Sequence, residues 1–191
     1  MNGTYSIVHA TDMGNLKVHL VFSDGIERTV DVGAFLRKHP HAQHNKYLDP
    51  REFAKFKLVD GNIVWGRDGD LMFELDGLHD GQDLNDGDTR VSDELMTQLY
   101  GPVGTPERDR IDAAAHTQRT ANEIGQKVVL LRVEHGLTRK ELAAKAMVDE
   151  RTVAKVENGH DASLFDIGKI FLALGIRATY DMGRLGRVAL W

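Results

Sequence analysis

The sequence predicts an α+β chain in two parts: a small N-terminal α+β domain with a mostly antiparallel sheet, then an all-α unit. Three observations predict it. Residues 5–32 alternate apolar and polar around Asp24-Gly25, the pattern of half-buried strands joined by a hairpin. Ile124, Val128 and Leu131 recur at i, i+4 and i+7, and further helical runs follow them. Between the two, residues 76–90 (DGLHDGQDLNDGDTR) are acidic, polar and Gly-rich and read as a long loop or linker. The expected boundaries are 1–80 for the α+β domain, 81–105 for a linker with a short helix, and 106–191 for the helical domain and its tail.

The N-terminal elements follow in order. Leu16–Phe22 is β-rich, Asp24-Gly25 turns the chain, and Ile26–Val32 returns. Ala34–Lys38 suits a short helix. Asp49-Pro50 is an N-cap followed by proline at the first helical position, so a short helix over Arg51–Ala54 is expected. Phe56–Val59 and Ile63–Trp65, split by Asp60-Gly61, make a second hairpin, and Leu71–Leu75 adds a strand. Trp65 is expected in the core or at a domain interface. A helix spans Ser92–Tyr100, ended by Gly101–Gly104. Thr105-Pro106-Glu107 starts another, which runs through Ala113–Ala115.

The most informative stretch is Leu137–Gly159, LTRKELAAKAMVDERTVAKVENG. Thr138 and Glu141 have the spacing of a capping box. Leu142, Ala143 and Ala146 repeat at helical spacing after it. Asp149 is a second N-cap candidate, opening a helix that turns Val153 and Val156 inward, and Asn158-Gly159 ends it. Two short helices joined by a tight turn, with alanine where they cross, describe a helix-turn-helix. Ile124–Gly136 precedes it as an amphipathic helix. Ser163 caps a further one with Leu164, Ile167, Ile170 and Leu174 apolar and Gly175 at its end.

The L-T-x-x-E-L-A start, the T-V-x-K-V-E-N-G end and the S-L-x-x-I…A-L-G-I run together resemble the lambda-repressor-like DNA-binding family, the Xre or Cro/C1 type, over about 55 residues. The family usually has Gly in the turn where this chain has Met147. If that position requires a positive φ, Met strains it by roughly 1–2 kcal/mol. The F-S-D-G-I-E-R-T-V-D, Y-L-D-P-R-E-F and V-W-G-R-D-G-D-L stretches resemble a small bacterial α+β family, domain of unknown function 2442. That resemblance implies a fold and a bacterial source, and no settled activity.

On the repressor-like pattern, the face opposite Val153 and Val156 presents Glu150, Arg151, Thr152 and Lys155 to the major groove. Arg151 and Lys155 can donate to guanine O6 and N7, and Glu150 can accept from cytosine N4. Arg139, Lys140 and Thr152 lie where backbone phosphate is met, and Asn158 adds a phosphate contact. Asp149 and Glu157 sit on the same face by this reading and oppose phosphate.

Charge and composition bound the alternatives. The chain has 191 residues, no cysteine and a net charge of −5, so disulfide and thiolate chemistry are excluded. Residues 1–105 carry 10 Lys/Arg against 17 Asp/Glu, a net −7; residues 106–191 carry 14 against 12, a net +2. The acidic part repels DNA, whereas the second part can offer a local basic patch. No apolar run approaches the ~20 residues of a membrane helix, and the N-terminus does not read as a signal peptide. His39, His41 and His44 read as a solvated loop rather than a zinc site, and the aspartates of 76–88 lack the calcium-loop register. No nucleophile elbow or phosphate loop is present, so neither an enzyme nor a cofactor is expected.

The expected function is sequence-specific binding of double-stranded DNA for transcriptional control by a cytoplasmic bacterial homodimer, with no membrane partner. The N-terminal domain would supply partner binding or sensing. Two alternatives remain open: an antitoxin-type regulator that neutralises a protein partner, and a protein-interaction module without DNA binding. Dimerisation has a route through Arg177–Met182 and the apolar Leu185, Val188, Leu190 and Trp191.

Overall fold

The computed structural model describes residues 5–85, 93–177, 179–181 and 187–189. Its first sheet is an antiparallel meander of β1 (Ile7–Gly14), β2 (Lys17–Phe22) and β3 (Glu27–Asp31). Val18, Leu20 and Phe22 face the core, as a period of two requires. Asp24-Gly25 turns the second hairpin as expected, with Gly25 at φ +87° and Asp24 Oδ1 accepting from the Ile26 amide. The first hairpin turns on Asn15 and Leu16, both at positive φ. Leu16 adopts a conformation that disfavours branched chains, and it is buried in the core there.

Asp31 caps α1 (Val32–Lys38) by accepting from the Ala34 amide. A 3-10 turn over Asn45–Leu48 leads to α2 (Pro50–Phe53), capped by Asp49. The second sheet holds β4 (Lys57–Val59), β5 (Asn62–Trp65) and β6 (Leu71–Met72). Trp65 is fully buried, its indole N–H donating to the Phe53 carbonyl at 2.7 Å. It packs against Phe53, Phe56 and Phe73.

Three expectations for this part are corrected. The strand over Leu71–Leu75 pairs only at Leu71 and Met72, because Leu75 already begins a helix, α3 (Leu75–Asp80). Residues 76–85 are therefore not an open linker. Leu78 is buried in the N-terminal core, and the acids around it have partners. The Tyr5 hydroxyl donates to Asp76 at 2.7 Å, and the His79 ring stacks on Tyr5 between Asp24 and Asp80. Nor is the histidine stretch simply solvated: His44 Nε2 contacts the Asp70 carbonyl at 2.8 Å, and His39 lies against Phe35.

The helical part begins with α4 (Asp93–Tyr100) and α5 (Pro106–Glu134). The two helix signals at Thr105 and Ile124 belong to one helix, since no Gly or Pro interrupts residues 107–124. Its 29 residues span about 44 Å. Residues 112–120 are exposed throughout, whereas the distal half is buried on two sides. Val129 completes the N-terminal core together with Leu130 and Val133, while Val128 with Ile124 and Leu131 enters the second core. Then come α6 (Arg139–Ala146), α7 (Glu150–Glu157) and α8 (Leu164–Ala173). Ser163 caps α8 as expected, but Leu164 points outward and is exposed; Ile170 and Leu174 provide its buried face.

In the tail, β7 (Thr179–Asp181) pairs antiparallel with β8 (Arg187–Ala189) of the same chain. Leu185, Leu190 and Trp191 lie outside the described residues. No described helix is long and apolar enough to cross a membrane.

Candidate nucleic-acid interface

The site is built on α6, α7 and the turn between them. Thr138 makes the full capping box: its hydroxyl accepts from the Glu141 amide, and the Glu141 carboxylate accepts from the Thr138 amide. Donation to it from the Thr138 amide, and then from the Thr138 hydroxyl, holds the Glu141 carboxyl below its ordinary value. At the other end Met147 closes α6 with φ +54° and ψ +48°, the left-handed conformation that a glycine would take without strain. Its side chain is 81% exposed, so packing does not compensate.

Behind the turn, Leu142, Ala143, Ala146, Val153 and Val156 pack with Val128, Ile170 and Leu174. The small alanines let α6 and α7 cross closely. Gly125 does the same for α5 and α7, since a Cβ there would run into the carbonyl oxygens of Val156 and Glu157. With Val153 and Val156 inward, Glu150, Arg151 and Lys155 are exposed and Thr152 is half-buried. Lys140 is exposed at the start of α6, and Asn158 is half-buried at the end of α7. Arg139, Asp149, Glu150, Arg151 and Ala154 line one open hollow of about 540 Å³. Asp149 stands at the N-cap position of α7 but makes no side-chain capping bond, contrary to expectation.

Two residues differ from the sequence reading. Glu157 is 0% exposed and does not oppose phosphate on the recognition face. Its Oε1 accepts from Arg132 Nε at 2.5 Å, and its Oε2 accepts from Arg139 Nε at 2.5 Å. Arg139 is accordingly tied inward, with only 23% of its side chain exposed. Arg132, whose side chain is 1% exposed, also donates to Asp49 Oδ2 at 2.9 Å and to the Leu137 carbonyl at 3.0 Å. Burial pushes the Asp49 carboxyl up, but donation from Arg132 and from the Arg51 amide outweighs it and leaves the group below its ordinary value.

The sequence reading missed Asn45, Asp49 and Arg132. Their partners lie far along the chain, 83 residues apart for Arg132 and Asp49, and no spacing rule reaches that distance. The one available signal was Arg132 itself, a charge among the apolar positions of an amphipathic helix.

Residues 130–180 match the helix-turn-helix family. The match includes the end of α5, all of α6 to α8 and the start of the tail. In helix-turn-helix terms, α6 is the first helix of the motif and α7 the second. No curated protein matches the chain. A solved structure of a candidate DNA-binding protein from Nitrosomonas europaea is 18% identical over 89% of this chain and 84% of that one, with a TM-score of 0.31, too distant to bear on fold or function.

Proposed function

We propose that the chain binds double-stranded DNA through its helix-turn-helix and acts as a non-enzymatic transcriptional regulator in the bacterial cytoplasm. The observation that carries this reading is the exposed stripe of α7, with Arg151 and Lys155 four residues apart on the face opposite the buried Val153 and Val156. Arg151 and Lys155 read guanine and Glu150 reads cytosine, while Lys140, Thr152 and Asn158 meet phosphate. Arg139 supports that surface from its place against Glu157 and reaches phosphate through its exposed edge. With Glu157 withdrawn, the exposed acids of α7 and its N-cap position are Glu150 and Asp149, at the end of α7 that enters the groove.

The regulator acts as a homodimer, because one weakly basic unit reads too few base pairs, and two half-sites one helical turn apart double the contacts. Since β7 already pairs with β8 of its own chain, a symmetric strand pairing uses the other edge of that hairpin. The N-terminal α+β domain, whose residues 1–80 carry 9 Lys/Arg against 12 Asp/Glu, a net −3, stays off DNA and serves a partner or effector.

Selection from a random DNA pool, followed by titration of matched and scrambled duplexes at several salt concentrations, tests the reading. Wild type should prefer the selected site. Arg151→Ala should lose roughly 1–3 kcal/mol there and blur one base position. No salt-dependent binding to any duplex would overturn it. A monomer by light scattering at tens of micromolar, with and without DNA, would overturn the dimer.

A further inference from the structure

The last residue of the recognition helix is held by the N-terminal domain. Helix C-termini leave carbonyls without intrahelical partners. Here the Glu157 carbonyl accepts from Asn45 Nδ2 at 3.1 Å, and the same amide donates to the Asn122 carbonyl of α5 at 2.9 Å. Asn45 Oδ1 accepts from the His41 amide, so both ends of the amide group are engaged, and Asn45 is 1% exposed. A second tie runs through side chains. Asp49 grips Arg132, Arg132 grips Glu157, and Glu157 grips Arg139 at the start of α6. These four alternate in sign and sum to zero, so each acid has its base without a surplus charge inside the protein. Asp49 does this while its other oxygen caps α2 through the Arg51 amide at 3.0 Å.

We infer that Asn45 and Asp49 are positioning residues for the recognition helix, which makes the N-terminal domain part of the DNA-reading unit without touching DNA. This rests on the reading of α7 as the element that meets bases. Groups that read bases must be held within roughly 0.5 Å of their working geometry. A lysine reaching a phosphate tolerates more. Loosening the end of α7 therefore erodes discrimination before it erodes general attraction. It also gives any ligand or partner that shifts the 3-10 turn or α2 a direct mechanical route to α7, with no contact to DNA.

The test uses the full chain. Asp49→Asn keeps the side-chain shape and the oxygen that caps α2, and replaces the charged acceptor facing Arg132 with an amide N–H that cannot accept. Asn45→Ser shortens the side chain out of reach of the Glu157 carbonyl. Both are titrated on matched and scrambled duplexes at several salt concentrations, and the amide resonances of Glu150–Gly159 are recorded without DNA. The expected result is a loss on the order of tenfold on the matched site. The matched-to-scrambled ratio should shrink, the salt slope should stay unchanged, and the α7 resonances should shift. A variant that merely lowers the folded fraction weakens both duplexes equally; an unchanged ratio in both variants would overturn the inference. If wild type itself binds no duplex, the functional reading fails separately. The resonances then decide alone, with unshifted Glu157–Gly159 amides counting against any hold on the helix.

Discussion

At the scale of single residues, Met147 carries the clearest cost. A non-glycine in the left-handed region is strained by roughly 1–2 kcal/mol, and Gly in turn loses about 0.5–1 kcal/mol of unfolded-state freedom. Met147→Gly should therefore raise stability by about 0.5–1 kcal/mol, read as a higher urea midpoint at constant slope. An unchanged or lower midpoint would mean that the exposed Met side chain makes a contribution its 81% exposure does not reveal. Glu157 sits at the opposite extreme. Breaking a buried ion pair leaves its partner uncompensated, at about 3–5 kcal/mol. Glu157→Gln takes the acid from Arg139 and leaves Arg132 with Asp49 alone, and should lower stability by about that much; a change below about 1 kcal/mol would mean that Asp49 alone satisfies Arg132. The strain at Met147 was legible because it depends on one position in one turn. The burial of Glu157 was not: helical periodicity placed it near the exposed stripe, and only the folded chain brings Arg132 and Arg139 to it.

At the scale of elements, α3 shows how a stretch that reads as a linker becomes ordered. One apolar residue, Leu78, anchors it, and His79 bridges Asp80 and Asp24 at 3.0 and 2.8 Å. Hydrogen bonds to Asp80 first, and then to Asp24, raise the His79 pKa. A raised folded pKa stabilises fully below the ordinary histidine value and ceases to do so as pH rises through the folded one. The Tyr5–His79 stack should thus loosen on going from pH 6 to alkaline solution, seen as faster amide exchange over 77–81 after correction for the intrinsic rate. Protection independent of pH would show that Leu78 alone holds the helix. Asp49 has the opposite sign: its lowered pKa keeps its contact with Arg132 intact above the ordinary aspartate range, and the contact is lost only as pH falls through the lowered value. The starts of α2, α6 and α8 were legible because each depends on a cap and a residue two or three positions on; α1 begins two residues before the expected Ala34, on the Asp31 cap. The ends of β6 and α3 were not, because Phe73 and Leu75 suit either state until their packing decides.

At the scale of the whole molecule, the two cores share a helix. Val128 and Val129 are neighbours in sequence, and each is fully buried in a different core. Melting either core exposes the flank of α5 that supports the other, so the full chain should unfold in one transition, with calorimetric and van't Hoff enthalpies equal. Two resolved transitions would show that the N-terminal domain keeps its stability without α5. The sequence suggested a separable joint between the parts because acid-rich composition and charge asymmetry are visible locally. The docking of Asn45, Asp49 and Gln126 is polar and long-range, and it leaves no periodic trace in the chain.

The bare middle of α5 has a consequence of its own. Along residues 112–120 the helix is exposed, met by the Gly159 carbonyl that accepts from Gln118 at 3.0 Å, and it carries the covalent path from the N-terminal domain to the helix-turn-helix. The hold between those parts lies elsewhere, at Asn45, Asp49 and Val129. A protease that nicks the chain after Arg119 would leave two pieces that elute as one particle and separate only in denaturant. The gene could equally be split there and the halves expressed from separate promoters. Continuity of the backbone and continuity of the machine are different things in this protein, and the second does not need the first.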